Sequence, residues 1–121
     1  MKKSDIAISF SKGEFSICYE YLTANTLWET PGVQTLKGIE TIKAYCEKVR
    51  AYFDSVTTDF RQLNMIESEN AVVVQGTATF TRDQQVVSEI SSCDVYTFAG
   101  DLKIISIYSY CIKGNCKRPV T

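Results

Sequence analysis

Histidine is absent from all 121 residues, and that absence removes more chemistry than any residue present supplies. Without an imidazole there is no Ser-His-Asp or Cys-His nucleophile, and no side chain that ordinarily titrates near neutral pH. Acid–base work falls to carboxylates, tyrosines, lysines or a thiol. A zinc set also lacks its imidazoles, and the five cysteines (Cys18, Cys46, Cys93, Cys111, Cys116) include no Cys-x-x-Cys pair. They read as small buried hydrophobes of a reducing compartment. Cys111 and Cys116 lie close enough along the chain to pair if oxidised. Phosphate-cradling glycine motifs are missing, as are carboxylates spaced for a metal cage. No metal and no cofactor are expected.

Charge of one sign is missing too. Thirteen Lys and Arg against fourteen Asp and Glu leave a net charge of −1, so no basic face and no nucleic-acid partner are expected. Lys2-Lys3 and the cluster from Lys113 to Arg118 read as solvated ends. No apolar run approaches the roughly 18 residues of a membrane span. The apolar residues behind Met1-Lys2-Lys3 are interrupted by Asp5, Ser9, Ser11 and Lys12, unlike a secretory signal. A cytoplasmic location and no membrane partner follow as expectations. The length fits one domain over residues 1–121, with a core over about 4–112 and a tail at 113–121.

What is present is a change of period. Residues 4–12 favour a helix, with Ser4 as a cap, Ile6 and Phe10 one turn apart, and Gly13 as the stop. Phe15, Cys18, Tyr19 and Leu22 follow the spacing of a second helical stripe. Thr26 to Glu29 reads as a short strand closed by the turn dipeptide Pro31-Gly32. After Gly38, Ile39, Ile42, Cys46, Val49 and Phe53 again keep helical spacing, and Tyr45 and Tyr52 widen that face. From Thr57 the period becomes two. Strands are expected over 57–67, 71–81, 86–98 and 102–112, with an irregularity in the first because Phe60 and Leu63 fall on opposite parities. Gly76 inside a β-rich strand predicts a bend or a close backbone approach. Helices first and antiparallel strands afterwards describe an α+β fold, a curved sheet wrapped over about three helices, whose concave mouth suits a ligand.

Asp94 is the leading chemical candidate. On the strand 86–98 it shares a face with Val86, Ile90, Tyr96 and Phe98. A carboxyl there is desolvated, which raises its pKa and suits a hydrogen-bond donor or general acid. The competing reading is a structural aspartate satisfied by a neighbouring hydroxyl or N–H. Tyr108 and Tyr110 share one parity of the last strand; in a register of even sums Ser106 faces Asp94 and Tyr108 lies diagonal to it. They are candidate oxyanion donors, or core and interface tyrosines. Trp28, the only tryptophan, lines the pocket or plugs the wide end of the core. Tyr19 and Cys46, on the helical stripes, and Tyr96, on the face of Asp94, are further candidates for the lining, with a core thiol as the plainer role for Cys46.

The run Asn25-Thr26-Leu27-Trp28-Glu29-Thr30-Pro31-Gly32, then Lys37-Gly38-Ile39-Glu40-Thr41-Ile42, then the ending from Phe98 to Tyr110 resembles the SnoaL-like proteins. These belong to the nuclear transport factor 2-like superfamily that includes ketosteroid isomerase. The resemblance implies a cone-shaped, cystatin-like fold with an apolar cavity, a small apolar ligand, and a homodimer formed through the sheet. It matches Asp94 to the isomerase aspartate that stays protonated at the oxyanion. It puts Thr30 where the isomerase base stands and Ile6 near the oxyanion tyrosine, so ordinary steroid isomerase chemistry is not implied. Ser109 replaces an aspartate of the epoxide-hydrolase relatives, and residues 71–80 carry none of their Arg-x-Asp pair. In polyketide cyclase relatives, Asp94 is the counterpart of the acid/base carboxylate. The resemblance therefore leaves three functions open: an apolar-ligand binder, an isomerase- or cyclase-type enzyme, and a non-catalytic dimeric scaffold.

Overall fold

The computed structural model of the chain describes residues 1–114. The readings for Cys116 and for most of the basic tail lie outside the described residues. Helix α1 spans Lys3–Ser11 and buries Ile6, Ala7 and Phe10. Its cap is Lys2 rather than Ser4, because the Asp5 carboxylate reaches back to accept the Lys2 N–H at 3.0 Å. Gly13 ends it at φ +91°. The Glu14 N–H bonds to the Ser9 carbonyl at 2.9 Å and the Gly13 N–H to Phe10 at 3.0 Å, which satisfies carbonyls the helix would otherwise leave bare.

The second expected helix is shorter and tighter. Residues Ser16–Tyr21 form a 3-10 turn, and Leu22 is already extended. At three residues per turn Phe15 and Cys18 eclipse and are buried, while Tyr19 is only half-buried. Strand β1 (Leu27–Thr30) follows, and a tight turn at residues 31–33 leads into β2 (Gln34–Lys37), which the sequence pattern had not revealed. Helix α2 runs over Ile39–Asp54.

Four long strands complete the fold: β3 (Thr57–Glu67), β4 (Ala71–Arg82), β5 (Gln85–Phe98) and β6 (Ile104–Lys113). They make one six-stranded sheet in the order β2-β1-β6-β5-β4-β3, antiparallel except where β1 runs parallel to β6. This is the expected α+β architecture. Alternation on β4 puts Val72, Val74, Gly76 and Phe80 on the buried face, as their spacing predicts. The expected four-residue loop between β4 and β5 is a two-residue turn, with Asp83 and Gln84 both at positive φ.

The irregularity expected in β3 is real. Pairing with β4 skips from Gln62 to Asn64, leaving Leu63 as an extra residue that is 60% exposed. Gly76 sits opposite that bulge, and a Cβ there would stand 2.8 Å from both the Arg61 carbonyl oxygen and the Phe60 ring. The ring has freedom to turn; the carbonyl is held in the ladder. Gly76→Ala is therefore expected to destabilise the fold by about 1–3 kcal/mol. Urea denaturation of the variant beside wild type measures this, and an unchanged midpoint would show that the sheet does not need the close approach.

Candidate functional site

The inner face of the sheet, α1 and α2 together enclose a cavity of about 660 Å³. That is within the range of roughly 300–1,000 Å³ typical of small-molecule sites. Its walls are largely aromatic. Trp28 meets Phe10 edge-on at 4.9 Å and Tyr45 at 5.5 Å, and Phe53 stacks on Phe80 at 5.5 Å. The wall from α2 consists of Tyr45, Lys48, Val49, Tyr52 and Phe53. This stripe is rotated from the one carrying Ile42 and Cys46, which are fully buried in the core.

Asp94 lines the cavity while only 8% exposed. Its position follows from the strand register: Val74 lies on one side and Ser109 on the other. Ser11, at the last turn of α1, donates its hydroxyl proton to Asp94 Oδ2 at 2.8 Å. The same Ser11 oxygen lies 2.7 Å from the Tyr96 hydroxyl. A serine hydroxyl has one proton. With that proton given to Asp94, the fully buried Tyr96 must be the donor to Ser11. On the other flank the Trp28 indole N–H donates to Ser109 Oγ at 3.0 Å. Since an indole only donates, the Ser109 proton is left for Asp94, to which Ser109 also hydrogen-bonds.

These donors and burial pull Asp94 in opposite directions. Desolvation is the larger effect and raises its pKa above the ordinary carboxylate value, while the bonds from Ser11 and Ser109 lower it. The result is a carboxyl inclined to hold a proton at the edge of an apolar space. A protonated Asp94 can donate to a ligand carbonyl or hydroxyl; ionised, it can accept a proton.

The structure places Asp94, Trp28 and Tyr96 on one cavity. It separates the other candidates. Asp94 pairs with Ser109, an odd-sum register, and not with Ser106 as the even-sum alternative would have it. A shift between Thr97 and Phe98 at the start of the β5–β6 ladder accounts for the slip. Tyr108 and Tyr110 accordingly pair with Val95 and Cys93, on the outer face, where neither reaches Asp94. Cys46 is a core thiol, pushed up to about 12 by burial, and does not line the cavity. Tyr19 lies outside as well; it borders a smaller groove and donates to Glu47 at 3.2 Å. Thr30 does line the cavity. Cys18 and Cys46 are buried as expected, but Cys111 is exposed and lines the cavity.

Sequence reasoning missed Ser11 and Ser109 as the partners of Asp94. Ser109 needed only the correct register. Ser11 carried no signal, since 83 residues separate it from its acceptor.

Comparison with known proteins agrees with this geometry. A family model described as the SnoaL-like domain matches residues 7–107. No curated protein matches. Among solved structures, an NTF2-like protein of unknown function from Cytophaga hutchinsonii is 28% identical with a TM-score of 0.80, covering 90% of this chain and 95% of that one. A protein from Shewanella denitrificans, provisionally described as a SnoaL-like polyketide cyclase, has a TM-score of 0.71 at 11% identity, with 91% and 90% covered. An M. tuberculosis LEH-like epoxide hydrolase has a TM-score of 0.63 at 14% identity, with 87% and 75% covered. The latter two likenesses are of fold alone.

Because the folded state favours protonated Asp94, folding takes up a proton. Stability is then full below the unfolded pKa of about 3.9 and declines as pH rises through the raised folded value. Asp94→Asn removes that slope. Urea unfolding of both proteins from about pH 4 to about pH 8 is expected to show wild type losing stability relative to the variant as pH increases. Parallel curves would mean that Asp94 titrates as a solvated carboxylate.

Proposed function

Because this chain belongs to the SnoaL-like domain family, we propose that it binds a small, largely apolar molecule in the cavity between α2 and the sheet. In this reading Asp94 is the polar anchor, with Trp28 and Tyr96 beside it. The observation that carries the reading is a buried carboxyl, its pKa raised by desolvation, at the edge of an aromatic-walled cavity. Aromatic walls supply affinity through burial, and a single donor orients a ligand carbonyl or hydroxyl.

A cyclase- or isomerase-type activity is the second reading. It is favoured by the same carboxyl, because burial raises its pKa above the ordinary carboxylate range and a carboxyl can both give and take a proton. The fold shared with proteins provisionally described as polyketide cyclases is compatible with it. In that case Asp94 is the acid/base, and Thr30 offers a hydroxyl rather than a second carboxylate. With a substrate in hand, Asp94→Asn that binds but does not turn over would mark an enzyme. A purely scaffolding role is the least supported, since the cavity is open rather than filled by its own side chains.

The binding reading is tested with phenylnaphthylamine, a neutral apolar fluorophore. Trp28 lines the cavity and is the chain's only tryptophan, so energy transfer from it reports occupancy. Saturable transfer is expected, weakened about tenfold or more by Ala78→Phe, which fills the cavity. No transfer, or no effect of the filling substitution in a folded variant, would overturn the reading.

We also propose a homodimer through the outer face of the sheet. Val95, Tyr108, Tyr110 and Ile112 make an apolar strip there, with Tyr110 50% and Ile112 71% exposed. Sedimentation equilibrium is expected to give twice the 13.6 kDa chain mass, and Tyr110→Lys to give the monomer. A monomeric wild type would remove the dimer.

A further inference from the structure

We infer that the molecule filling the cavity is an apolar or aromatic acid, whose anionic group is received at the rim by Lys48 and Lys113. This rests on reading the cavity as a binding site, and it names the chemical class of the occupant.

Lys48 stands in the middle of the α2 stripe that lines the cavity, one turn from Tyr45 and one turn from Tyr52. An amphipathic helix ordinarily turns its lysines to water and away from such a stripe. On the opposite wall, Ser109, Cys111 and Lys113 alternate along the inner face of β6, and all three line the cavity. Lys113 pairs across the ladder with Ile90, another lining residue. The sequence pattern had assigned Lys113 to a solvated end; the strand carries it to the cavity instead. Both lysines are exposed whereas Asp94 is buried, so the ammonium groups mark the rim and the carboxyl the interior.

Neither lysine has a counter-charge among the described residues. The ion pairs there are Lys12–Glu14, Arg50–Asp54 and Arg61–Asp59. Glu47, beside Lys48 in sequence, borders the smaller groove and accepts from Tyr19. Asp94 is the only carboxyl lining the cavity among the described residues, and it is held by two serine hydroxyls within. The rim therefore offers two cations on long apolar stems. Their attraction is left for something that arrives. A wholly neutral ligand would use the aromatic walls and Asp94 and leave this charge unmatched. A molecule with a carboxylate or sulfonate on an apolar body matches all three features, its uncharged polar end at Asp94 and its anionic group outside.

The test compares two probes that share one ring system: anilinonaphthalene sulfonate and phenylnaphthylamine, which lacks the sulfonate. Each is titrated against wild type, Lys48→Met, Lys113→Met and the double variant, because methionine keeps most of the apolar stem. The double variant is expected to bind the sulfonate about five- to tenfold more weakly and the neutral probe within about twofold of wild type. The wild-type preference should shrink as salt is raised from about 20 to about 200 mM. Unchanged sulfonate affinity in the double variant, or an equal loss for both probes, would overturn the inference while neutral binding keeps the cavity reading intact. Failure of the neutral probe to bind wild type would overturn the cavity reading and this inference with it.

Discussion

A carboxyl cannot be withdrawn from water on the inner face of a sheet unless something donates to it, and Asp94 draws its donors from distant parts of the chain. Ser11 comes from the end of α1 and Ser109 from β6. Behind them stand Tyr96 on β5 and Trp28 on β1. Each hydroxyl has a single proton, so the directions of the bonds are linked: Tyr96 gives to Ser11 and Ser11 to Asp94, while Trp28 gives to Ser109. A half-made network in this setting costs more than none, because an unpaired buried group loses its hydration without compensation. The network therefore constrains how α1, β1 and β6 meet β5.

Burial and hydrogen bonding act against each other at that carboxyl, and burial is stronger. The same low dielectric that raises its pKa also strengthens any bond it makes to a ligand. The aromatic wall sustains the low dielectric without closing the space. Phe10, Trp28, Tyr45, Phe53 and Phe80 lean on one another edge-on or stacked, so their rings are supported from behind while one side stays open. An open cavity forgoes the packing that a filled core would supply. At the β3–β4 ladder, the extra residue at Leu63 bends β3, and Gly76 lets β4 come close to it.

Much of this was legible in the chain. Periodicity separated α1 and α2 from the four long strands, parity placed Asp94 and Tyr96 on one face, and the mismatch of Phe60 and Leu63 disclosed the bulge. These succeed because they depend on neighbours a few residues apart, where helix and strand geometry is universal. The errors are of a different kind. The 3-10 turn at residues 16–21 and the hidden strand β2 were misjudged because each is only a few residues long, too short for a period to declare itself. The β5–β6 register was undecided because the turn at Gly100-Asp101 is compatible with more than one, and one residue of slip exchanges the two faces. That single slip moved Tyr108 and Tyr110 outward and brought Ser109 and Cys111 in.

By itself the sequence determined the α+β class, the order of the two α-helices and the four long strands, the alternation along each long strand, and the set of chemistries excluded by the lack of histidine. The tertiary structure alone decided which groups meet: Ser11 with Asp94 across 83 residues, Trp28 with Ser109, and Lys48 and Lys113 on facing walls of one cavity. The physical reason is range. Backbone periodicity is a property of the local chain and is written in residue spacing. Contacts between side chains far apart in sequence depend on register, bulges and helix rotation, each of which changes the partner without changing the local pattern.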